Sequence, residues 1–293
     1  MKQKKPKRYD RSKKPGSLPY IWRRMSKNSG AMVGLSFLIL IIILSFTSPY
    51  ILKYNYWSIN MFQRYLPPSW EHLLGTDELG RDILARILYG ARYTLAIGIG
   101  AVIISSTVGI AFGSIAGYLG GKTDAFLMRV LDVIQSFPGL ILAIAVSVVL
   151  GTGIINTIIA IGIGAMPPFA RMTRASMLKV RKLEYVEAAH AINCSPARII
   201  FKYMIQNSMS PLIVMISLQI AQSGLTASTL SFLGLGIQEP TPEWGSMIAT
   251  SREFMRESPH MVFIPGLFIM MTVLSLNLIG DALRDALDPR LKD

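Results

Sequence analysis

Residues 133–170 read VIQSFPGLILAIAVSVVLGTGIINTIIAIGIGAMPPFA, a run of 38 positions without one Asp, Glu, Lys or Arg. A membrane span needs about 20 mostly apolar residues, so this run is long enough to contribute to two. Gly151-Thr152-Gly153 inside it is a turn signal and sets helix ends on either side. Four further charge-free windows run 28–52, 93–121, 203–238 and 258–280, with lengths of 25, 29, 36 and 23. Together they predict six membrane helices, at 30–50, 93–118, 129–150, 155–174, 208–232 and 261–282. The fold class that follows is all-α, a polytopic membrane protein.

Composition agrees. The chain of 293 residues is 51% hydrophobic and 16% charged, against about 25% charged in a soluble domain. One cysteine, Cys194, excludes a disulfide framework, and three scattered histidines leave little for a zinc enzyme. The net charge of +13 is concentrated at one end: residues 1–30 hold eleven Lys and Arg against Asp10, which is +10 of the total. A basic tail before an apolar run marks a cytoplasmic flank attracted to anionic membrane lipid, and no folded nucleic-acid reader accompanies it.

Orientation follows from the cationic residues. The segment 171–207 carries seven Lys and Arg against Glu184 and Glu187, and is expected inside with both termini. The segment 233–260 has Arg252 and Arg256 against four glutamates and is expected outside, as is 51–92. In the latter, Thr76 is the expected N-cap of a helix over 76–86, with acids in its first turn. The chain thus divides into a basic tail (1–29), a first span with its outer segment (30–92), a five-helix core (93–282) and a C-terminal tail (283–293).

Two stripes stand out. Ala101, Ser105, Gly109, Gly113 and Gly117 recur every four residues and share one helix face, which suits close packing within the chain, with a subunit interface as the alternative. Gln219, Gln222, Ser223 and Thr226 share a face of the fifth helix. Polar side chains at membrane depth need partners or water, so this stripe is expected either to bond between helices or to line a wet translocation path. Arg129 and Asp132 are expected to pair at the inner interface. No chain of acids or histidines continues into the membrane, as a proton relay would require.

No catalytic pattern stands in a workable context. Gly117–Thr123 resembles a phosphate loop, but the required first glycine would be residue 116, which is Ala116. A tight turn between two membrane helices is the better reading. The chain reads as non-catalytic and binds no cofactor of its own, so uphill transport would draw on an ion gradient or a partner ATPase.

The inner segment carries the strongest functional signal. Glu184–Ile192 has good helix formers, Asn193 can stop a helix in left-handed space, and Ser195-Pro196 restarts one as N-cap and first-turn proline. The second helix is expected over Pro196–Met204. Two short helices at an angle would make a knob protruding from the membrane core.

Glu187-Ala188-Ala189 resembles the start of the cytoplasmic EAA loop, here about 175–207, of the permease subunits of binding-protein-dependent ABC importers. Leu74–Asp82, Leu230–Gly236 and Gly280–Arg290 extend the resemblance to the C-type permease of dipeptide and oligopeptide importers over nearly the whole chain. Asn193 stands where that loop usually has Gly, Ile205-Gln206 where it commonly has Leu-Pro, and Ala227 where an acid is usual. The resemblance implies a type I ABC importer permease fold in a bacterial or archaeal cytoplasmic membrane. It implies a coupling surface at Glu184, Glu187, Ala188, Ala189, Asn193, Ser195 and Pro196. It also implies a B-type permease partner, two cytoplasmic ATPases that bind ATP-Mg, and an extracytoplasmic binding protein. Peptide is the implied substrate, with nickel or a metal chelate as the alternative; a secondary transporter or channel is the alternative of another class.

Overall fold

The computed structural model describes residues 18–287. The tail 1–17 and Asp288, Pro289 and Arg290 lie outside the described residues. Among the described residues the architecture is helical: α1 (Leu18–Met25), α2 (Ser29–Ile51), α3 (Ile83–Leu119), α4 (Gly121–Gln135), α5 (Gly139–Leu150), α6 (Ile154–Val180), α7 (Glu184–Ala191), α8 (Pro196–Arg198), α9 (Gln206–Phe232), α10 (Trp244–Ser251) and α11 (His260–Leu287). A π-helical segment, Ile199–Ile205, joins α8 to α9 without a break. Five of these elements are long and apolar enough to cross a membrane, and six if α4 and α5 count as one bent span.

That bent pair corrects the expected straight helix over 129–150. α4 and α5 meet at 84°. Pro138 has no amide hydrogen and disfavours helical geometry at Phe137, so the chain turns over Ser136–Pro138. The 12 residues of α5 rise only about 18 Å, short of the roughly 30 Å hydrocarbon layer. The α5–α6 turn falls where the glycines place it, with φ of +82° at Gly151 and +129° at Gly153.

The expected Arg129–Asp132 pair does not form either. Asp132 instead receives Arg171 Nη2 at 2.7 Å, and Asp124 receives Arg174 Nε and Nη2 at 2.5 Å, so both acids tie α4 to α6. Three residues apart on one helix, Arg129 and Asp132 lose to the longer reach of arginines on the neighbouring helix.

The small-residue stripe packs within the chain. A Cβ added to Gly109 would stand 2.6 Å from Phe169 Cβ, and one on Gly117 would stand 2.6 Å from Met177 Cβ. Glycine there lets the α3 and α6 backbones approach closely, which increases the packing contacts that help drive helix association in lipid. α2 docks by a different device. Pro49 cannot donate to the Ser45 carbonyl four residues back, and that carbonyl accepts instead from the Ser48 hydroxyl at 2.9 Å and from Arg92 of α3, Nε at 3.0 Å and Nη2 at 2.5 Å. The guanidinium also lies over the rings of Phe46 and Tyr89.

The outer helix expected over 76–86 and the span expected over 93–118 are one continuous helix, α3, and it starts at Ile83 rather than after Thr76. Thr76 caps nothing: its hydroxyl donates to the Gln63 carbonyl at 2.5 Å and accepts from the Leu66 amide at 2.9 Å. Asp77 Oδ1 accepts from the amides of Leu79 and Arg81, both at 2.9 Å, an Asx-type turn that competes with helix. The cap is Asp82, whose Oδ1 accepts from the Ala85 amide at 2.8 Å.

Candidate coupling and translocation site

α7 stands on a small core of its own. Val186 and Ala189 pack with Met177 and Val180 of α6 and with Ile199 and Met204 of the π segment. Glu184 and Glu187 occupy the first turn, where carboxylates suit the helix dipole. The helix ends as the sequence predicts: Asn193 takes φ +56°, and the Cys194 amide returns to the Ala189 carbonyl at 3.0 Å. Ser195 departs from expectation. Its side chain makes no cap bond, and Pro196 at the first helical position starts α8 alone. The second helix also differs, being α-helical for three residues, π-helical for seven, and then continuous with α9. The knob is therefore the direct extension of a membrane helix.

The two alanines differ in burial. Ala188 is exposed, whereas Ala189 is 3% exposed and inside the loop core. The outer face of α7 presents Glu184, Glu187, Ala188 and Ala191, with Ile192 beside them at 74% exposure. His190 is exposed and stacks on Tyr118 at the end of α3, centroids 6.0 Å apart.

The polar stripe of α9 is split. Gln222 is exposed. Gln219 is half-buried and lines an open groove of about 530 Å³ with Met172, Val214, Leu218 and Arg284. Ser223 is fully buried with its hydroxyl unpartnered, and the Thr226 hydroxyl donates to the Gln222 carbonyl at 2.9 Å. The open polar surface therefore comprises Gln219 and Gln222, with Thr226 at its edge and Ser223 behind it.

At the opposite end lies an ion cluster that sequence reasoning did not assemble. Arg81 Nε meets Asp77 Oδ2 at 2.6 Å, and its Nη1 meets Glu239 Oε2. Arg86, only 1% exposed, places Nη2 2.6 Å from Glu239 Oε1. Glu239 thus joins two buried arginines across 153 and 158 positions of sequence. The motif over residues 74–82 was visible in the sequence; nothing in it pointed to Glu239.

Glu243 is the second such residue. It is fully buried, and its Oε1 accepts from the hydroxyls of Thr94 at 3.2 Å and Ser228 at 3.3 Å, while Oε2 accepts from the Ser246 amide at 2.9 Å. Burial pushes its carboxyl above the ordinary value of 4.5, against the lowering effect of those hydrogen bonds. The fold therefore favours the neutral acid. Its contribution to stability is complete below about pH 4.5 and is lost as pH rises through the raised value. Thermal unfolding of the purified protein should show that decline, and Glu243→Gln, always neutral, should flatten it. A pH profile unchanged by Glu243→Gln would contradict the assignment.

Comparison with known proteins agrees with this geometry. Residues 109–293 match the family described as the binding-protein-dependent transport system inner membrane component, and residues 19–68 match the N-terminal TM domain of oligopeptide transport permease C. The chain is 41% identical over 287 residues to the di/tripeptide transport system permease protein DppC of Pseudomonas aeruginosa, covering 95% of this chain and 94% of that one. It is 42% identical over 274 residues to the glutathione transport system permease protein GsiD of Pectobacterium atrosepticum, covering 92% and 90%. In fold it is similar to a chain of the MetNI methionine ABC transporter in an inward-facing conformation. That match has a TM-score of 0.55 and 17% identity, and covers 68% of this chain and 94% of that one. The chain belongs to the family of binding-protein-dependent transport system inner membrane components.

Proposed function

We propose that this chain is one of two pore-forming permease subunits of an ATP-driven importer of short peptides. The observation that carries the reading is the exposed face of α7, held on its own core and built into the continuation of a membrane helix. A partner that moves this face moves α9, and α9 carries the exposed polar side chains. Peptide as substrate is supported by relatives named for di/tripeptide and glutathione transport. Hydrolysis of ATP-Mg belongs to two partner ATPases that dock on α7, and a binding protein delivers substrate at the α10 end. The chain itself contributes no catalytic residue. Co-expression with a related permease and ATPases should give a complex that takes up labelled dipeptide only with ATP and binding protein. Purification without an ATPase, or uptake driven by an ion gradient alone, would overturn the assignment.

The path and the orientation have separate tests. In a Cys194→Ala background, Gln222→Cys and Gln219→Cys should react with small aqueous thiol reagents several-fold faster than Ile220→Cys or Ser223→Cys. Equal rates around the helix would reject the path. Ser69→Cys and Thr241→Cys should label in intact cells with an impermeant reagent, and Ala191→Cys only after permeabilisation. The reverse pattern would invert the topology.

A further inference from the structure

Arg86 sits in the first turn of α3 and is 1% exposed. Its guanidinium has five N–H donors and stays charged. Nη2 meets Glu239 Oε1 at 2.6 Å, and Nε stands 3.5 Å from Asp77 Oδ2. Nη1 is buried, and among the described residues nothing accepts from it. A buried charged donor without an acceptor is costly, because it has given up its bonds to solvent. Glu78 has the complementary need. Its Oε1 meets Arg81 Nη2 at 3.0 Å, while Oε2 is buried with no donor among the described residues.

Both side chains line one cavity of about 10 Å³, with Ile83 of α3, Met247 and Thr250 of α10 and Met261 of α11 around them. Asp77 lines it too, but its oxygens are taken by Arg81 and by the amides of Leu79 and Arg81. The Thr250 hydroxyl donates to the carbonyls of Ser246 and Met247, at 3.3 and 3.2 Å, which leaves its oxygen to accept.

Room of that size suits one water molecule and is too small for a phosphate or a peptide carboxylate. A metal cation would face the Arg86 guanidinium and give Nη1 no acceptor. Chloride would give Glu78 Oε2 no donor. It would also add a negative charge where Asp77, Glu78 and Glu239 already outnumber Arg81 and Arg86. Water accepts from Nη1 and donates to Glu78 Oε2 and Thr250 Oγ1, and about three bonds is the usual complement of a buried water. Burial, and then the charge of Asp77, push the Glu78 carboxyl above its ordinary 4.5. Water serves either form, since it donates to a carboxylate and accepts from an acid.

We propose that one buried water, bound between Arg86 Nη1 and Glu78 Oε2, is a fixed ligand of this end of the protein and ties α10 to the start of α3. The site stands independently of the importer reading.

The test uses the permease purified in nanodiscs with the subunits that accompany it. Cryo-electron microscopy, at a resolution that shows ordered waters elsewhere in the complex, should show a peak within hydrogen-bond distance of both atoms. A well-resolved cavity without a peak would overturn the proposal. Met247 and Met261, 4% and 1% exposed, give a second readout. X-ray radiolysis makes hydroxyl radical from a bound water in place, so both should oxidise several-fold faster than Met177 and Met204, which are buried elsewhere. The Glu78→Leu/Arg86→Met double variant removes both bonding groups and should abolish the excess. Wild-type rates equal to those of Met177 and Met204 would count against the water, as would an excess that survives in the double variant. Thermal unfolding in sodium chloride, sodium gluconate and choline chloride at equal ionic strength separates water from an ion. The three midpoints should coincide. A midpoint that follows chloride or sodium would assign the peak to that ion and overturn the proposal. Where the double variant fails to fold, the wild-type peak and the salt series decide the matter.

Discussion

Ala188→Leu is expected to leave the permease folded and inserted while reducing ATPase copurification and peptide uptake at least tenfold. Ala189→Leu should instead lower the amount of folded permease. The two alanines are neighbours in sequence, about 100° apart around α7, but only Ala189 is covered by the loop core. Ala188 is on the exposed face proposed to meet an ATPase. A leucine there holds the two surfaces apart, and overpacking typically costs about 1–3 kcal/mol, where about 1.4 kcal/mol is tenfold in affinity. Ala189 is inside the core formed by Met177, Val186, Ile199 and Met204. The same cost there falls on the fold of the loop, before any partner arrives. Expression, ATPase copurification and uptake, measured together, separate the cases. Normal copurification and uptake by Ala188→Leu at normal expression would rule out docking on this face. Well-folded Ala189→Leu with a selective loss of ATPase would reverse the assignment of the two faces.

Glu239→Ala should be the most damaging single truncation at the opposite end. Glu239 accepts from Arg81 and Arg86 together, one on each carboxylate oxygen. Without it, Arg86 retains only Asp77, at 3.5 Å from Nε. Breaking a buried ion pair by removing one partner typically costs about 3–5 kcal/mol, because the remaining charge is stranded. The partial exposure of Glu239, at 32%, places the expected loss at the lower end, about 3 kcal/mol. Arg86→Met in the same background should recover part of it, since it removes the stranded charge. The measurement is thermal or denaturant unfolding of the purified subunit for both single variants and the double. Additive losses would show that the two residues do not depend on each other.

Much of the fold was legible because bilayer chemistry writes it in one dimension. Charge-free runs of sufficient length marked α2, α3, α6, α9 and α11, and the Gly151–Gly153 turn fell where the glycines required. The four-residue step of Gly109, Gly113 and Gly117 announced a close helix contact, and Asn193 and Pro196 marked the end of α7 and the start of α8. Hydropathy did not reveal the bend between α4 and α5, because an apolar window measures composition while Pro138 acts on local geometry. Nor did it reveal the start of α3, where the Asp77 side chain competes with the helix for backbone amides.

The site divides along the same line. The amino-acid sequence by itself determined where most of the membrane helices lie, their small and polar stripes and the segment that forms the knob, because each depends on residues within a few turns of one another. Only the tertiary structure decided that Ala188 is exposed and Ala189 covered, that Ser223 lies behind Gln222, and that Arg81 and Arg86 share Glu239. Each of these depends on which surface another part of the chain covers. A side chain 153 positions away leaves no mark on the local pattern, because its effect is made through space, by burial and by charge.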